Sequence, residues 1–367
     1  IELENIQFFF HLIIINTLYK DLFNSFNEQN ILIIGDVMVD AYLWGKVDRI
    51  SPEAPVPIVA VQKKESRLGG AANVALNIKA LEAKPIVCSI IGDDLDGSEL
   101  IKLLDVENIY ADYLIKINER KTTVKTRVLA QNQQVLRIDA ETETEISKLE
   151  TDLVLEKFHI ILEKNQIDAI IFQDYDKGLI TPYLINEISK SAKAKNIPII
   201  VDPKKRNFLS YQNVDVFKPN LKELKEGIKV SFDAKNINQL RENVELLRNK
   251  IQAKGILLTL SELGVYAMDN EKDILTPAHI RSIADVSGAG DTVISVVAVC
   301  IAAGLSIFDA AKLGNLAGGL VCEKVGVVPV DTHQDFVPTI LLVAPFGKHC
   351  TASSVWSVGS SSWTHPP

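Results

Sequence analysis

The segment from Asp285 to Thr292, DVSGAGDT, places a glycine-rich turn and a carboxylate directly before the apolar run Val293–Leu305. Small residues let backbone N–H groups surround an anion, and a helix that starts there points its positive end at the same place. A carboxylate among such donors can take a proton beside a bound phosphate. Asp291 is therefore the candidate general base for attack on a phosphoryl group.

The backbone amides of Ser287 to Gly290 are the candidate stabilisers of the transferring phosphoryl group, which makes Gly288, Ala289 and Gly290 candidate catalytic positions. A structural alternative stays open. In that alternative Gly288 and Gly290 only form a turn, and Asp291 offsets the helix dipole, which contributes at most about 1 kcal/mol.

A second glycine-rich segment, RLGGAANVALNI, runs from Arg67 to Ile78. Gly69 and Gly70 permit close approach of the backbone, and the small residues after them open a helix with Asn73 in its first turn. Sugar hydroxyls need such amide donors and carboxamide or carboxylate acceptors. The segment is also compatible with an ordinary tight helix entry.

Short apolar runs alternate with helix-length amphipathic stretches, which predicts an α/β fold with a parallel sheet covered by helices on both faces. The runs begin at Ile31, Pro85, Asp168, Pro198, Val214 and Gly255. Ligands gather at the carboxyl ends of strands in open α/β sheets. The polar residues that end these runs are therefore expected to line a site: Asp36, Asp174, Asp202, Asn220 and Ser261.

Two regions lack helices between their extended segments, which predicts a small antiparallel sheet. They comprise PVPIVAV from Pro55, and ADYLIKI, TTVKTRVLA and QQVLRID between Ala111 and Asp139. Such a sheet, assigned to residues 37–65 and 110–140, can act as a lid that excludes water. An ordinary structural side sheet is the alternative.

Composition indicates a cytoplasmic enzyme. The 367 residues are 47% hydrophobic and carry a net charge of −8, which argues against a nucleic-acid or anionic-membrane partner. The apolar stretch Phe8–Ile15 is too short to span a bilayer. Residues 31–335 are expected to form one large domain, between an N-terminal extension or helix over 1–30 and an irregular tail over 336–367.

The two glycine-rich motifs together resemble those of the ribokinase, or phosphofructokinase-B, family of sugar kinases. The resemblance covers roughly residues 31–330 and implies a ribokinase-like fold that uses ATP and Mg²⁺. NLKE, Asn220 to Glu223, is similar to a family motif whose acid organises Mg²⁺ and the nucleotide phosphates through water; KELKEG is also an ordinary helical charge pattern. The remaining nucleotide-site candidates are Thr259, Ser261 and Gly264 in TLSELG, and Asn315, which is equally able to form a helix-packing hydrogen bond.

Longer phrases narrow the resemblance to the D-glycero-D-manno-heptose-7-phosphate kinases of the bacterial ADP-heptose pathway. They are GDVMVDAYLWGKVDRISPEAPVPIVAV, KTRVLAQNQQVLRID, DYDKG and VDPK. This implies phosphorylation of the anomeric 1-hydroxyl of a sugar that already carries a phosphate, for lipopolysaccharide core synthesis. The candidate sugar-binding residues are Asp36, Asp40, Gly69, Gly70 and Asn73. Asp40 also has a structural alternative as a cap of the next turn.

A phosphorylated sugar requires cations, and the candidates are Lys125, Arg127, Arg137 and Lys177. If these side chains face solvent, a family kinase for another sugar or sugar phosphate is favoured. A non-catalytic sugar-binding or regulatory module is the alternative from a different class.

Many heptose enzymes of this type carry a second domain with an HxGH motif, which does not occur in this sequence. A separate adenylyltransferase is therefore expected in the pathway. A potassium requirement near Asp285 is left open. Apolar segments of the side sheet suggest pairing across a two-fold axis, so a homodimer is expected.

Overall fold

The computed structural model describes residues 21–130, 133–278, 283–324 and 326–330. Most of the expected N-terminal extension, with the apolar stretch Phe8–Ile15, and the expected tail from residue 336 lie outside the described residues. Within the described ranges, no helix combines the length and apolar character needed to cross a bilayer.

A nine-stranded sheet forms the centre of the molecule. Its strands are β1 Asn30–Gly35, β4 Lys84–Gly92, β5 Leu114–Ile117, β8 Ala169–Gln173, β9 Ile199–Asp202, β10 Val216–Phe217, β11 Gly255–Thr259, β12 Val265–Met268 and β13 Asp273–Thr276. The order across the sheet is β13-β12-β11-β10-β9-β8-β1-β4-β5. Every pair from β11 to β5 is parallel, and β12 and β13 add an antiparallel edge. The predicted parallel sheet is confirmed.

Helices cover both faces of this sheet. They are α1 (residues 21–26 of the described part), α2 Ala71–Ala80, α3 Leu95–Val106, α4 Lys148–Lys164, α5 Pro182–Ala194, α6 Leu221–Ile228, α7 Ile237–Ile251, α8 Ala289–Ala302 and α9 Ile307–Val321. Strand β1 shows why two layers are needed. Ile31 and Ile33 belong to the core cluster that contains α2, α8 and α9, whereas Leu32 and Ile34 belong to the cluster under α4, α5 and α7. Successive strand residues point to opposite faces, so a continuous apolar strand has to be covered twice.

A four-stranded sheet stands beside the carboxyl end of β1. Its strands are β2 Val37–Ile50, β3 Pro57–Gly70, β6 Thr123–Ala130 and β7 Gln133–Ala140, in the order β3-β2-β6-β7. Only Asp36 separates β1 from β2, and β3 runs directly into α2 at Gly70. The second glycine-rich segment therefore joins the small sheet to the main one.

Two details of the predicted side sheet were wrong. Strands β2 and β6 pair in parallel, although β2 with β3 and β6 with β7 are antiparallel as expected. The segment ADYLIKI, which was expected in the lid, supplies β5 of the main sheet and pairs in parallel with β4. Leu114 packs on one core cluster while Ile115 and Ile117 pack on the other, so this strand needs apolar cover on both faces. Helix α3 is the crossover that makes the parallel pairing possible.

Candidate active site

The two glycine-rich motifs meet in space at the starts of α2 and α8. The Nδ2 of Asn73 donates a hydrogen bond of 2.7 Å to Oδ2 of Asp291. Both side chains are buried, with residue exposures of 1% and 7%. The fold thus brings Asp291, the proposed base in one motif, into contact with Asn73, the proposed sugar-binding residue in the other. Neither motif by itself predicts this contact.

Helix α8 begins without a side-chain cap. Its N-cap residue Gly288 has φ 81°, a left-handed conformation that favours glycine. In the described part of the chain, the amides of Gly288, Gly290 and Asp291 donate to no protein acceptor. Ahead of the helix, unpaired amides and the positive end of its dipole form a site suited to an anion.

Two of the predicted donors are already engaged. The amide of Ser287 donates to Oδ1 of Asp285 at 2.9 Å, and that of Ala289 donates to the Val286 carbonyl at 3.3 Å. Gly288 and Gly290 therefore remain as the available donors among those predicted, and the Asp291 amide joins them.

The other carboxylate oxygen of Asp291 also has donors. Its Oδ1 accepts from the Tyr175 phenol at 2.6 Å and from Nε2 of Gln173 at 3.3 Å. Burial raises the pKa of Asp291 to about 6, against the lowering effect of the hydrogen bonds from Tyr175 and Asn73. A carboxylate with a pKa near neutrality is suited to accept a proton from an alcohol during attack.

A buried ion pair lies next to this base. Lys218, just after β10, pairs with Asp202 at the end of β9, with an Nζ to Oδ2 distance of 3.0 Å. Gln173 links the two carboxylates, because its Nε2 lies 3.3 Å from both Asp202 Oδ2 and Asp291 Oδ1. Asp202 acts to raise the pKa of Asp291, and Lys218 acts to lower it.

Asp36 anchors the loop that carries Tyr175. Its Oδ2 accepts the amides of Tyr175 at 2.9 Å and Lys177 at 3.1 Å, and its Oδ1 accepts the amide of Leu179 at 3.3 Å. Burial raises the pKa of Asp36 against these three bonds. Asp36 thus lies near Asp291 through this loop, but both of its carboxylate oxygens already accept backbone amides.

Asp40 lies on β2 between strands that carry basic residues. It pairs with Arg127 of β6 and lies opposite Lys125 in the strand register. A Cβ at position 69 would collide with the Asp40 carboxylate, so Gly69 is required for this close approach.

The four cations predicted to bind phosphate differ in how they are paired. Lys177 contacts Glu141 at 2.9 Å and Glu143 at 2.7 Å, and Arg127 pairs with Asp40. Arg137 pairs with Asp139 on its own strand, and its side chain is 51% exposed.

Lys125 alone among these four has no carboxylate within ion-pair distance in the described residues. Its ammonium lies 5.8 Å from the centroid of the Tyr175 ring. Burial lowers its pKa, and so does the neighbouring Lys177.

The predicted nucleotide-site residues gather at the carboxyl ends of β10 and β11. Asn220 caps α6 and forms a capping box with Glu223, and Asn220 also pairs with Thr259 in an isolated parallel bridge. Just beyond Thr259, Ser261 has φ 52° and Gly264 has φ 94°. A Cβ at position 264 would collide with the Thr276 carbonyl, which explains the glycine in this turn.

Glu223 is committed to protein contacts. Its Oε2 accepts the Asn220 amide at 2.8 Å, and its Oε1 accepts from Lys204 at 2.5 Å. Within the described ranges, no group of three Asp, Glu, His or Cys side chains could hold a metal ion. Because both carboxylate oxygens of Glu223 already accept from protein donors, a divalent metal near Glu223 would be held mainly by nucleotide phosphates and water, as Mg²⁺ usually is.

Asn315 forms a helix-packing hydrogen bond, which was one of the two roles predicted for it. Its Nδ2 donates to the Pro277 carbonyl at 2.8 Å, which joins α9 to the segment after β13. Its proximity to a nucleotide stays a prediction.

Several residues around Asp291 and Glu223 were not predicted from the sequence to belong to the site. Gln173, Tyr175, Lys204 and Lys218 were not singled out, and Asp202 was noted only as the end of a strand. Each lies within or just after a main-sheet strand, in FQDYDKG, IIVDPKK or VFKPN. Their position at the carboxyl ends of parallel strands was the available signal.

The sequence matches the pfkB family carbohydrate kinase over residues 28–333. Two relatives named bifunctional protein HldE are 40% identical in Sulfurimonas denitrificans and 41% identical in Campylobacter jejuni subsp. doylei, each over 85% of this chain. The chain spans 64% and 65% of their lengths.

Solved structures share the ribokinase-like fold. Arabidopsis thaliana ribokinase complexed with ribose and ATP has a TM-score of 0.65 at 18% identity, with 85% of this chain and 98% of that chain covered. Phosphofructokinase-2 from Escherichia coli, in complex with potassium, has a TM-score of 0.69 at 19% identity, with 86% and 98% covered. The match of the family model over residues 28–333, most of the chain, shows that this chain belongs to the pfkB family of carbohydrate kinases.

Proposed function

We propose that this carbohydrate kinase phosphorylates the 1-hydroxyl of D-glycero-D-manno-heptose 7-phosphate with ATP. The product would be the 1,7-bisphosphate, which serves ADP-heptose and lipopolysaccharide core synthesis in the cytoplasm. The observation that carries the chemistry is the buried carboxylate of Asp291, held by Asn73 among the open amides of α8. Support for the sugar comes from the four sequence phrases that resemble the D-glycero-D-manno-heptose-7-phosphate kinases.

In the proposed reaction, Asp291 takes the proton of the sugar 1-hydroxyl as the oxygen attacks the γ-phosphorus of ATP. A bond forms between that oxygen and phosphorus, the bond from phosphorus to the β,γ-bridging oxygen breaks, and ADP leaves. The amides of Gly288 and Gly290 donate to the oxygens of the transferring group, where negative charge has to be stabilised.

The family assignment implies ATP and a divalent metal ion. We propose Mg²⁺, located by the phosphates and by water near Glu223; when bound, it would neutralise phosphate charge. The nucleotide would lie against Asn220, Thr259, Ser261 and Gly264, at the ends of β10 and β11. Asp285, just ahead of the anion site, is where a potassium ion would act, and replacing K⁺ by tetramethylammonium in the assay tests that requirement.

On the sugar side, Asn73 and Asp40 would orient hydroxyl groups, while Gly69 and Gly70 permit close approach of the backbone. Asp36 supports this region through the loop that it anchors. The small sheet would act as a lid, since it carries Asp40 and stands at the carboxyl end of β1.

For the sugar phosphate, we propose Lys125 as the main cation, with Arg127 beside it. Arg137 and Lys177 remain candidates. Carboxylate partners offset part of the charge of both, as Asp40 does for Arg127. The second candidate function, a family kinase for a different sugar or sugar phosphate, is favoured if these cations face solvent. Arg137 does so, with a side chain 51% exposed, whereas the side chains of Arg127 and Lys177 are 18% and 10% exposed.

A substrate panel tests the proposal. Turnover of heptose 7-phosphate, unphosphorylated heptose, fructose 6-phosphate and ribose is measured with ATP and Mg²⁺. Selective turnover of heptose 7-phosphate supports the proposal, and preference for another sugar supports the second candidate. Sugar binding without turnover of any substrate would indicate a non-catalytic binding or regulatory module.

Assembly and pathway context are further parts of the proposal. We propose a homodimer, and light scattering at the concentration used for assay would contradict it by giving only a monomer mass. Adenylyl transfer by a separate protein stays a prediction from the sequence. The relatives are bifunctional, and adenylyltransferase activity measured on this protein would contradict the prediction.

A further inference from the structure

We infer that Tyr175 is a positioning residue for the reaction: its phenol fixes the carboxylate of Asp291 in the orientation needed to accept the sugar proton. This inference rests on the proposed function of Asp291 as the base. It assigns a role to a loop residue that neither glycine-rich motif contains.

The geometry around Asp291 carries the inference. Tyr175 donates to Oδ1 at 2.6 Å and Asn73 donates to Oδ2 at 2.7 Å, so a good donor holds each carboxylate oxygen. Rotation of the carboxylate would break both bonds. Gln173 adds a longer contact of 3.3 Å to Oδ1. Because these two short bonds hold the Asp291 carboxylate, its remaining lone pairs point in fixed directions. A base that acts by proximity and orientation needs such a fixed direction toward the proton it accepts.

The chain also fixes Tyr175 itself. Its amide donates to Oδ2 of the buried Asp36 at 2.9 Å, and two further amides of the loop donate to the same carboxylate. The ammonium groups of Lys125 and Lys204 lie 5.8 Å and 5.6 Å from the ring centroid. Since cations are attracted to aromatic faces, these contacts restrict the ring. The phenol is therefore preorganised from both its backbone and its ring.

The phenol acts as a donor under working conditions. Burial and the nearby carboxylates raise its pKa well above the ordinary value, so it remains protonated. Its hydrogen bond in turn lowers the pKa of Asp291. The loss of the phenol would raise the pKa of the base and release its orientation at the same time.

Charged groups from several elements also face Asp291. Asp202 at the end of β9 raises its pKa, Lys218 after β10 lowers it, and Lys204 after β9 interacts with it electrostatically. Asn73 of α2 is an uncharged donor. None of these groups is altered by replacing Tyr175 with phenylalanine, so a shift in that variant reports the phenol.

The test compares Tyr175→Phe with Tyr266→Phe. Tyr266 is also buried and donates to an aspartate, Asp273 Oδ2 at 2.8 Å, but on the antiparallel edge of the main sheet. For each protein, the pH dependence of kcat/KM is measured, and the Asp291 carboxyl is titrated by carbon-13 NMR with Asp291→Asn to identify its signal. We expect Tyr175→Phe to raise both midpoints by roughly one pH unit and to lower kcat about tenfold with a smaller change in KM. Tyr266→Phe should shift neither midpoint.

A second change keeps the test decisive if Tyr175→Phe folds poorly. Site-specific 3-fluorotyrosine at position 175 retains the shape of the ring and has a more acidic phenol, so it should lower the Asp291 midpoint. Unchanged midpoints in both proteins would overturn the inference. The titration of the Asp291 carboxyl measures its coupling to the Tyr175 phenol even if the unaltered chain phosphorylates no sugar. In that case the proposed function fails, and the titration still tests the hydrogen bond between the two residues.

Discussion

Asn73 and Asp291 are separated by 218 positions in the sequence, yet their side chains form a buried hydrogen bond of 2.7 Å. The bond joins the first turn of α2 to the first turn of α8. It places a carboxamide suited to a sugar hydroxyl against a carboxylate suited to remove its proton. The proposed sugar site and the proposed phosphoryl-transfer site are therefore joined directly by this bond.

Replacing Asp291 by asparagine should abolish most turnover. We expect kcat/KM to fall by roughly 10²-fold to 10⁴-fold, because the general base is lost while the amides of α8 remain. Sugar affinity, measured by calorimetry, should change much less. Asp309→Asn is the matched control, since Asp309 occupies the same third position of α9 but is half-exposed and paired with Lys312. Equal losses of kcat/KM in the two variants would show that Asp291 only stabilises the N-terminus of α8.

The same carboxylate should affect stability as a function of pH. Its pKa is about 6 in the folded protein, against an ordinary value of 3.8, so the folded state binds more protons than the unfolded state between these values. This contribution to stability is present at low pH and is lost as pH rises through about 6. From pH 4 to pH 7, the unaltered protein should therefore lose free energy of unfolding relative to Asp291→Asn, by up to about 3 kcal/mol. Urea unfolding at several pH values measures this difference, and a pH-independent difference would contradict the raised pKa.

Lys125 should discriminate between phosphorylated and unphosphorylated sugars. Because it has no carboxylate partner in the described residues, Lys125→Met should raise the KM for heptose 7-phosphate by roughly tenfold to a hundredfold. The KM for unphosphorylated heptose should change little. Arg137→Met is the comparison, since Arg137 is exposed and bound to Asp139. An equal increase in KM for both sugars would show that Lys125 does not bind the phosphate of the sugar.

Gly70 should be intolerant of a side chain for a local steric reason. It has φ 58°, and a Cβ there would collide with the Asp36 carbonyl. Gly304 has φ 84°, but a Cβ at that position would meet no atom within 4 Å. We expect Gly304→Ala to lower the free energy of unfolding by about 1 kcal/mol, and Gly70→Ala by about 3 kcal/mol or more. Similar losses in urea unfolding would mean that the backbone at Gly70 can move away from the Asp36 carbonyl.

The architecture could be predicted from the sequence where the pattern was local. Continuous apolar runs such as the one that forms β1 predicted a buried parallel strand, and the structure confirms it. The prediction for the segment that forms β5 was wrong, because a four-residue strand with apolar side chains does not reveal which sheet it joins. Pairing depends on the crossover through α3, which a local pattern does not encode.

The site was predictable only in part for a related reason. Asp291 and Asn73 stand in glycine-rich turns whose local chemistry suggests anion and hydroxyl binding. Tyr175 and Lys218 lie just after strands of the main sheet, and only the folded sheet brings them to Asp291 or Asp202. The pairing of Lys177 with Glu141 and Glu143 was equally hidden, since it depends on two loops meeting.

Phosphorus-31 NMR of the product formed from heptose 7-phosphate and ATP with Mg²⁺ would test the proposed phosphoryl transfer and its base together. We expect a new phosphate signal coupled to the anomeric proton, in amounts equal to the ADP formed, and almost none with Asp291→Asn. Transfer to a different carbon, release of inorganic phosphate alone, or undiminished transfer by Asp291→Asn would refute the proposed reaction.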